Sequence, residues 1–349
     1  MRIDAGSLVR RHARVSHANA LHRWTEREGL VLQLRAGAAV GIGEASPLPG
    51  YSLDDLATCQ TELERCWERL PDIDVGAPIV ETLRRAVALA GAQAPAAVFA
   101  LETAVLDLVS RARERPAWAV LRGDDEASPI ALSALAEGDT PDELAAAAER
   151  ALARGIRVVK VKVGGADTET RDPPRLEAIR ARVGDALALR LDANQALPVE
   201  RLAEALAALA AFAPELLEEP ARPQDLSDLR WTPIPLAMDE SLMLEGWRGR
   251  ILLAAERGTH AAVVLKPMAL GGFDRCLAIA EAARAARLAV IVTHVFDGPV
   301  GTAAAACLAL AVRGPVLPCG LDAHGRLDEP IAAISATHVV PFAAAGLGV

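Results

Sequence analysis

Lys160 and Lys162 alternate with valines in the segment Val158–Val163. Residues two apart leave the same side of a β-strand, and a valine-rich strand is typical of a buried parallel sheet. A charge on a buried face needs a partner or a chemical role, and two neighbouring ammonium groups repel each other. Because this repulsion lowers the pKa of at least one of the two amines, the segment predicts a lysine that can act as a base.

Acidic residues end three later apolar segments, and a further lysine ends a fourth. These segments are LRLDAN with Asp192, LLEEP with Glu218 and Glu219, AMDES with Asp239, and VLKP with Lys266. The ends of successive parallel strands lie roughly 5 Å apart, so the three acidic positions are expected to be neighbours. Carboxylate oxygens are the ligands that Mg2+ prefers. The sequence therefore predicts a Mg2+ site, which Mn2+ can also occupy.

A substrate carboxylate held at this cation would lie between the lysines of the second and sixth strands. That arrangement suits removal of a proton next to the carboxylate, because the cation and a fixed ammonium group stabilise the enediolate. Lys162 and Lys266 could serve as base and electrophile, or as two opposed bases. A single acid at a strand end is usually a solvated residue or a helix cap, and a lone KxK is more often an edge strand. The whole set, at one end of consecutive strands, favours the catalytic interpretation.

From residue 129 onward, short apolar segments alternate with amphipathic helices, as in parallel α/β proteins. The predicted strands cover 130–135, 158–163, 187–192, 215–218, 235–239, 261–266, 289–293 and 316–320. The predicted helices cover 141–154, 174–183, 198–212, 222–230, 244–257, 272–287 and 298–312. Eight strands with crossover helices indicate a barrel with a reduced last helix, and its active site lies at the carboxyl ends of the strands. A doubly wound sheet is the alternative, but it normally carries a glycine fingerprint that is missing after the first strand here.

The N-terminal part of the chain reads as an α+β domain. Strand-like alternation runs to about residue 50, with a hairpin turn at 35–38, and a Pro- and Gly-rich loop follows at 43–52. Ser52 is a candidate helix cap, and helical periodicity then runs to about residue 70 and again from Pro78 and from Pro95 to Ala112.

Composition excludes several classes of partner. The formal net charge is −9 and aromatic residues make up 3%, which argues against nucleic acid. The longest uncharged stretch, 298–312, is too short and too rich in Ala and Gly to span a membrane. The five cysteines form no CxxC pair, which favours a reduced, cytoplasmic location. A small-molecule carboxylate is the expected partner, and a homo-oligomer is compatible with the sequence.

The motifs KVK, LDAN, LEEP, MDES and LKP occur in this order, and in this combination the chain resembles the enolase superfamily, in its muconate-lactonizing-enzyme-like subgroup. The resemblance implies a (β/α)7β TIM-like barrel over 113–325, an N-terminal α+β capping domain over 1–112, and a C-terminal tail over 326–349 that packs back on the capping domain. It implies Mg2+ ligands at Asp192, Glu218 and Asp239. It also implies that Lys162 and Lys266 are the acid/base pair and that Lys160 tunes Lys162.

Within that subgroup the chain is similar to the o-succinylbenzoate synthase family, in the loop GEASPLPGYS at 43–52 and in CGLD at 319–322. The implied reaction is dehydration of 2-succinyl-6-hydroxy-2,4-cyclohexadiene-1-carboxylate to 2-succinylbenzoate, a step of menaquinone biosynthesis. Lys162 would remove the proton alpha to the metal-bound carboxylate and then assist departure of the hydroxyl, while Lys266 stabilises the enediolate. The predicted substrate contacts are Ser46, Leu48, Tyr51, Arg190, Asn194, Ser241, Thr293, His294 and Asp322.

Two alternatives remain open at this point. The same two lysines could racemise an N-acylamino acid or epimerise a dipeptide. Dipeptide epimerases tend to carry Asp-x-Asp on the eighth strand, whereas this chain has Asp322-Ala323-His324, and its seventh strand lacks the serines typical of the synthases. The second alternative is a barrel that binds ligand without catalysis. It predicts that at least one catalytic residue is replaced, whereas every catalytic position here carries the expected residue type.

Overall fold

The computed structural model describes residues 2–18, 23–91, 93–322 and 330–349. The N-terminal part begins with a three-stranded antiparallel sheet, as the alternation of the sequence predicts. Its strands, in spatial order, are β1 (Ala5–Ala18), β2 (Arg23–Ala36) and β3 (Ala39–Ala45). The predicted hairpin joins β2 to β3 through Gly37, whose φ of 59° is a left-handed conformation that suits glycine.

Four helices complete this α+β part: α1 (Leu56–Arg65), α2 (Ile79–Ala90), α3 (Pro95–Ala112) and α4 (Ala117–Arg122). The predicted cap of α1 was wrong, because Asp55 rather than Ser52 accepts the backbone N–H of Thr58, at 2.8 Å. The hydroxyl of Ser52 instead accepts the N–H of Leu48 at 2.9 Å and stabilises the preceding loop.

The second part is a (β/α)7β TIM-like barrel. The short strand β4 (Ile130–Ala131) precedes seven parallel strands that lie side by side in chain order. They are β5 (Ala134–Ala136), β6 (Val158–Lys162), β7 (Ala188–Asp192), β8 (Leu216–Glu218), β9 (Leu236–Met238), β10 (His260–Leu265) and β11 (Ala289–Val292). Residues 316–320 close the ring through parallel bridges to β11 on one side and to Leu132 on the other. The predicted first strand, 130–135, is thus split in two.

Seven helices follow the strands around the barrel: α5 (Pro141–Ala153), α6 (Thr168–Val183), α7 (Leu202–Ala210), α8 (Trp247–Arg257), α9 (Pro267–Leu270), α10 (Phe273–Ala285) and α11 (Pro299–Ala311). The start of α5 carries a capping box between Thr140 and Glu143. The short helix predicted at 222–230 was wrong, because these residues, all of them described, form turns only. α6 begins six residues before its predicted start at 174 and includes two prolines.

The C-terminal residues return to the N-terminal part of the molecule. β12 (His338–Val339) pairs antiparallel with β4, and the N–H of Leu347 donates to Asp107 of α3 at 2.9 Å. The predicted boundary between barrel and tail at 325/326 lies outside the described residues. α3 packs its buried length against β3 and is part of one large apolar core shared with α10 and α11. Across the described ranges, no helix is long and apolar enough to cross a bilayer.

Candidate active site

Strand register brings the predicted catalytic residues into layers. Lys162 of β6 is paired with Asp192 of β7, which is paired in turn with Glu218 of β8. Lys160 and Arg190 form the neighbouring pair two residues earlier. Because side chains two apart share a face, Lys160, Lys162, Arg190 and Asp192 all point into the barrel. The period-two pattern in the sequence is therefore the cause of the cluster.

Three buried carboxylates meet at the carboxyl ends of β7, β8 and β9. Asp192, Glu218 and Asp239 each offer an oxygen, and these oxygens lie within 4.8 Å of one another. Their side chains are only 0%, 2% and 3% exposed, respectively. Hard oxygen donors at this spacing fit a small divalent cation, which would offset their mutual repulsion. By its donor chemistry, the triad could therefore bind a metal ion.

Three ammonium groups surround the acids. Lys160 donates to Asp192 at 2.9 Å and to Glu218 at 3.0 Å, and Lys162 donates to Asp192 at 2.6 Å. Lys266 approaches from the opposite side and donates to Asp239. The structure thus places the lysines of β6 and of the β10 end on two flanks of one acidic centre.

Burial and charge separate the pKa values of these groups. Burial lowers the pKa of Lys162, and the neighbouring ammonium groups Lys160 and Lys266 lower it further against the attraction of Asp192. Burial also opposes the charge on Lys266, but the nearby carboxylates, Asp239 foremost, outweigh it and raise the pKa of that amine. For Asp192 burial is outweighed by the lysines, so its pKa lies well below the usual range.

Tyr51 contacts this cluster. It belongs to the loop 46–51 between β3 and α1, called the capping loop. Its hydroxyl donates to Asp239 at 3.1 Å and accepts from Lys266 at 2.8 Å, and the Lys266 ammonium lies 4.5 Å from the centre of its ring. The loop is held in shape by N–H groups of Tyr51 and Ser52 that donate to the carbonyl of Leu48. The prediction that Tyr51 lies near the reacting groups is consistent with this geometry.

A cavity of about 220 Å³ opens above the lysines. Nine of its lining residues were named from the sequence as substrate contacts or lysines of the site, and others were not. The former include Leu48, Tyr51, Asn194, Thr293, His294 and Asp322, together with all three lysines. The latter include Trp24, Ser133, Leu135, Glu137, Val295 and Phe296. Ser133, Leu135 and Glu137 are two residues apart at the end of the first barrel strand, a signal that strand periodicity contains. Trp24 lies far away in sequence and has no such signal.

Three of the predicted substrate contacts lie away from the cavity. Arg190 is buried one layer below it and donates to Glu215 at 2.9 Å and to the carbonyl of Pro318 at 2.6 Å. Ser46 is buried and donates to Glu44. Ser241 donates to Glu219 at 3.0 Å. Each polar group is used inside the protein, so the structure places these residues beside the site rather than in it.

Two lining residues have their polar atoms engaged. Asn194 accepts from Lys162 at 2.7 Å and donates to Glu240 at 2.9 Å, with a positive φ of 43° that an Asn tolerates. Both oxygens of Asp322 accept from the guanidinium of Arg154. Asn194 therefore orients Lys162, and Arg154 balances the negative charge of Asp322 at the edge of the cavity.

Two family models match the chain: "Enolase C-terminal domain-like" over residues 143–349 and "MenC, N-terminal domain" over residues 18–104. The first match, together with the capped barrel and its site, defines the class as an enzyme of the enolase superfamily. The chain belongs to this superfamily and, within it, to the muconate-lactonizing-enzyme-like subgroup. Its reaction is of the lyase type or of the racemase and epimerase type.

Curated relatives carry more than one activity. The chain is 32% identical to the o-succinylbenzoate synthase of Salmonella arizonae over 305 residues, 86% of this chain and 84% of that protein. It is 28% identical to the hydrophobic dipeptide epimerase of Enterococcus faecalis over 321 residues, 89% and 88% of the two chains. Among solved structures, the dipeptide epimerase of Methylococcus capsulatus, complexed with Mg and L-Arg-D-Lys, superposes with a TM-score of 0.85 at 25% identity and covers 100% and 99% of the two chains.

Proposed function

We propose that the protein is an o-succinylbenzoate synthase, which dehydrates 2-succinyl-6-hydroxy-2,4-cyclohexadiene-1-carboxylate to 2-succinylbenzoate in menaquinone biosynthesis. The observation that carries the proposal is the pair Lys162 and Lys266 on two flanks of the acidic triad, beneath a capping domain that matches the MenC N-terminal model. The five cysteines are buried and free, which supports a cytoplasmic location.

The lysines divide the proton chemistry. Lys162 takes the proton from the carbon that bears the substrate carboxylate, and the electron pair enters an enediolate. The bond from the ring to the hydroxyl then breaks, the ammonium of Lys162 gives its proton to the departing oxygen, and water and an aromatic ring result. Lys266 stays protonated and donates to the developing negative charge, and Lys160 holds its positive charge beside Lys162.

The acids Asp192, Glu218 and Asp239 would hold Mg2+, with Mn2+ as a substitute. When bound, the cation supplies positive charge to the substrate carboxylate and so acidifies the neighbouring C–H. The same donor set supports this assignment, since carboxylates without sulfur or imidazole ligands are typical of a magnesium site.

The cavity walls support a flat apolar ring as substrate. Trp24, Leu48, Val295 and Phe296 contribute apolar side chains to the cavity lining, and Thr293 and His294 contribute polar groups. Leu48 and Tyr51 reach over the centre from the capping loop and exclude water from the enediolate.

Racemisation of an N-acylamino acid or epimerisation of a dipeptide is the second candidate, and the opposed lysines favour it. Lys162 could remove the proton from one face while Lys266 returns one to the other. A free α-ammonium group on a dipeptide needs an anionic partner, and both oxygens of Asp322 are already held by Arg154. This contact supports the synthase over dipeptide epimerisation.

The deciding experiment compares the two reactions in one preparation. Purified protein with Mg2+ is incubated with the cyclohexadiene acid while the aromatic product is monitored, and separately with N-succinylamino acids and dipeptides in D2O, monitoring exchange at the α-carbon. We expect aromatic product from the parent protein, and its formation should be about a thousandfold slower with Lys162→Ala. Absence of product together with rapid exchange of an amino-acid substrate would contradict the synthase assignment and establish the second candidate.

A further inference from the structure

Two separate loops form the apolar side of the cavity. One is the capping loop, 46–51, which contributes Leu48 and Tyr51, and the other is the strand-seven loop, 293–298, which contributes His294, Val295 and Phe296. They belong to different parts of the fold and are about 250 residues apart in sequence. Contacts that fix their relative position also fix the width of the cavity, because both loops line it.

A buried guanidinium joins the two loops. Arg27 of β2 is 1% exposed and donates to the carbonyls of Pro47 at 2.7 Å and Ser46 at 2.5 Å. The same side chain donates to the carbonyl of Val295 at 3.1 Å and reaches that of Phe296 at 3.5 Å. Because the planar guanidinium carries five N–H donors in a fixed fork, one side chain can order both backbones at once.

A buried carboxylate joins the same two loops by accepting hydrogen bonds, whereas the guanidinium donates them. Glu44 of β3 is 3% exposed and accepts from the hydroxyl of Ser46. It also accepts from the N–H groups of Gly298 at 2.7 Å and Gly301 at 3.0 Å, at the N-terminus of the thirteen-residue helix α11. A side chain at position 298 would collide with this carboxylate, so the glycine there permits the approach. A carboxylate at a helix N-terminus is favoured by the helix dipole.

Ser46 connects the two charged side chains, because its carbonyl accepts from Arg27 and its hydroxyl donates to Glu44. We propose that Arg27 and Glu44, linked through Ser46, are positioning residues that hold the capping loop and the strand-seven loop at one fixed separation and so determine how tightly the non-reacting part of the substrate is enclosed. Neither side chain lines the cavity. Their effect passes through Leu48, Val295 and Phe296, and the reacting lysines are held by other contacts.

The test combines kinetics with hydrogen exchange on the whole protein. Arg27→Met keeps the length of the side chain but removes every donor. We expect faster amide exchange in peptides from both loops and a KM raised about tenfold or more, with kcat changed less than about threefold, because uniform binding is lost while the lysines stay in place. Arg27→Lys restores one donor group and should recover part of the loss. Glu44→Gln should reproduce the pattern more weakly, since its amide accepts fewer bonds.

Arg180→Met is a matched control. Arg180 also donates to backbone carbonyls, those of Phe212 at 2.9 Å and Leu187 at 2.9 Å, but on the outer side of the barrel. Its loss should lower the melting temperature without changing KM or exchange in either loop. Exchange that rises in only one loop, a KM that stays constant, or an equal rise of KM in Arg180→Met would overturn the proposal.

The kinetic arm rests on the proposed function, and the exchange arm does not. If neither the cyclohexadiene acid nor an amino-acid substrate reacts, the proposed function has failed, and the exchange of the two loops in Arg27→Met and Glu44→Gln still decides whether these residues join them. If Arg27→Met does not fold, Arg27→Lys and Glu44→Gln carry the same comparison.

Discussion

Two regions of the cavity differ in the interactions that position their residues. The floor consists of the lysines and acids at the strand ends, and the capping side consists of the capping loop and the strand-seven loop. On the floor, Lys162, Asp192 and Glu218 are neighbours because they occupy paired positions on adjacent strands. On the capping side, Leu48 and Phe296 belong to two loops that are joined through long-range hydrogen bonds of Arg27. The floor carries the charges to which we assign proton transfer in the proposed reaction, and the capping side carries the apolar surface that we propose selects the substrate. Chemistry and selectivity are thus assigned to two separable regions.

The largest effect is expected on the floor. Lys162→Ala removes the proposed base, and we expect kcat to fall about a thousandfold, the scale of general base catalysis. The side chain is partly open to the cavity, so its loss leaves the packed core unchanged. Circular dichroism and the melting temperature should match the parent. Near-normal turnover would show that another group is the base.

Loss of the metal ligands comes next. Asp239→Asn should weaken Mg2+ binding by calorimetry at least about tenfold, because a neutral amide replaces a charged ligand. Asp142→Asn is the control, since Asp142 is an exposed acid that makes an ion pair with Arg182 on the barrel surface. Chelation of the parent protein should abolish turnover, and Mg2+ should restore it. Equal Mg2+ affinity in both variants would argue against the triad as ligands.

A change on the capping side should be smaller and of a different kind. Phe296→Ala removes apolar surface and the ring contact to Trp24, whose centroid lies 6.3 Å away. We expect kcat/KM to fall about tenfold, mostly through KM, as for the loss of roughly 1–2 kcal/mol of apolar contact. Mg2+ affinity should stay constant, and Leu252→Ala, at an exposed leucine of α8, should change neither. A Phe296→Ala variant with weakened Mg2+ binding would contradict the separation of the two regions.

The smallest effect concerns stability. Burial raises the pKa of Glu102 on α3 from its usual 4.5 to about 8. The hydrogen bonds that its carboxyl group accepts from the N–H groups of Phe273 and Asp274 lower this pKa, but burial outweighs them. The folded protein therefore keeps this proton to higher pH than the unfolded chain. Its stabilising contribution is complete below about pH 4.5 and is lost as the pH rises towards 8, by at most about 1.4 kcal/mol per pH unit. The melting temperature of Glu102→Gln should depend less on pH over this range than that of the parent protein. Parallel curves of melting temperature against pH for the two proteins would contradict the raised pKa.

Sequence periodicity was sufficient for the floor because strands impose it. A spacing of two places Lys160 with Lys162 and Arg190 with Asp192, and the parallel order of strands brings their ends together. It was insufficient for Arg190 and Ser241, because sharing a face does not specify the layer or the partner that a side chain meets. Arg190 points inward as expected, yet it lies too deep and bonds to Glu215.

The contacts of the capping side could not be predicted from the sequence, because no local sequence pattern specifies them. Trp24 and Arg27 lie on a strand whose pattern predicts only alternation, and their partners are between 19 and 269 residues away. The helix predicted at 222–230 failed as well. Its residues form separate hydrogen-bonded turns at Arg222, Gln224 and Leu226 that do not continue as a helix.

Glu44 and Glu102 each place an acid from the N-terminal domain at the start of a barrel helix, α11 and α10 respectively. The seam between the two domains is therefore a matched set of buried acids and helix termini, and loss of the acids would leave orphaned N–H groups. Exchange of capping domains among related enzymes, whether by recombination or by design, requires that the incoming domain bring acids at both places. Chimeras that lack them should assemble poorly even when every residue of the reaction centre is retained.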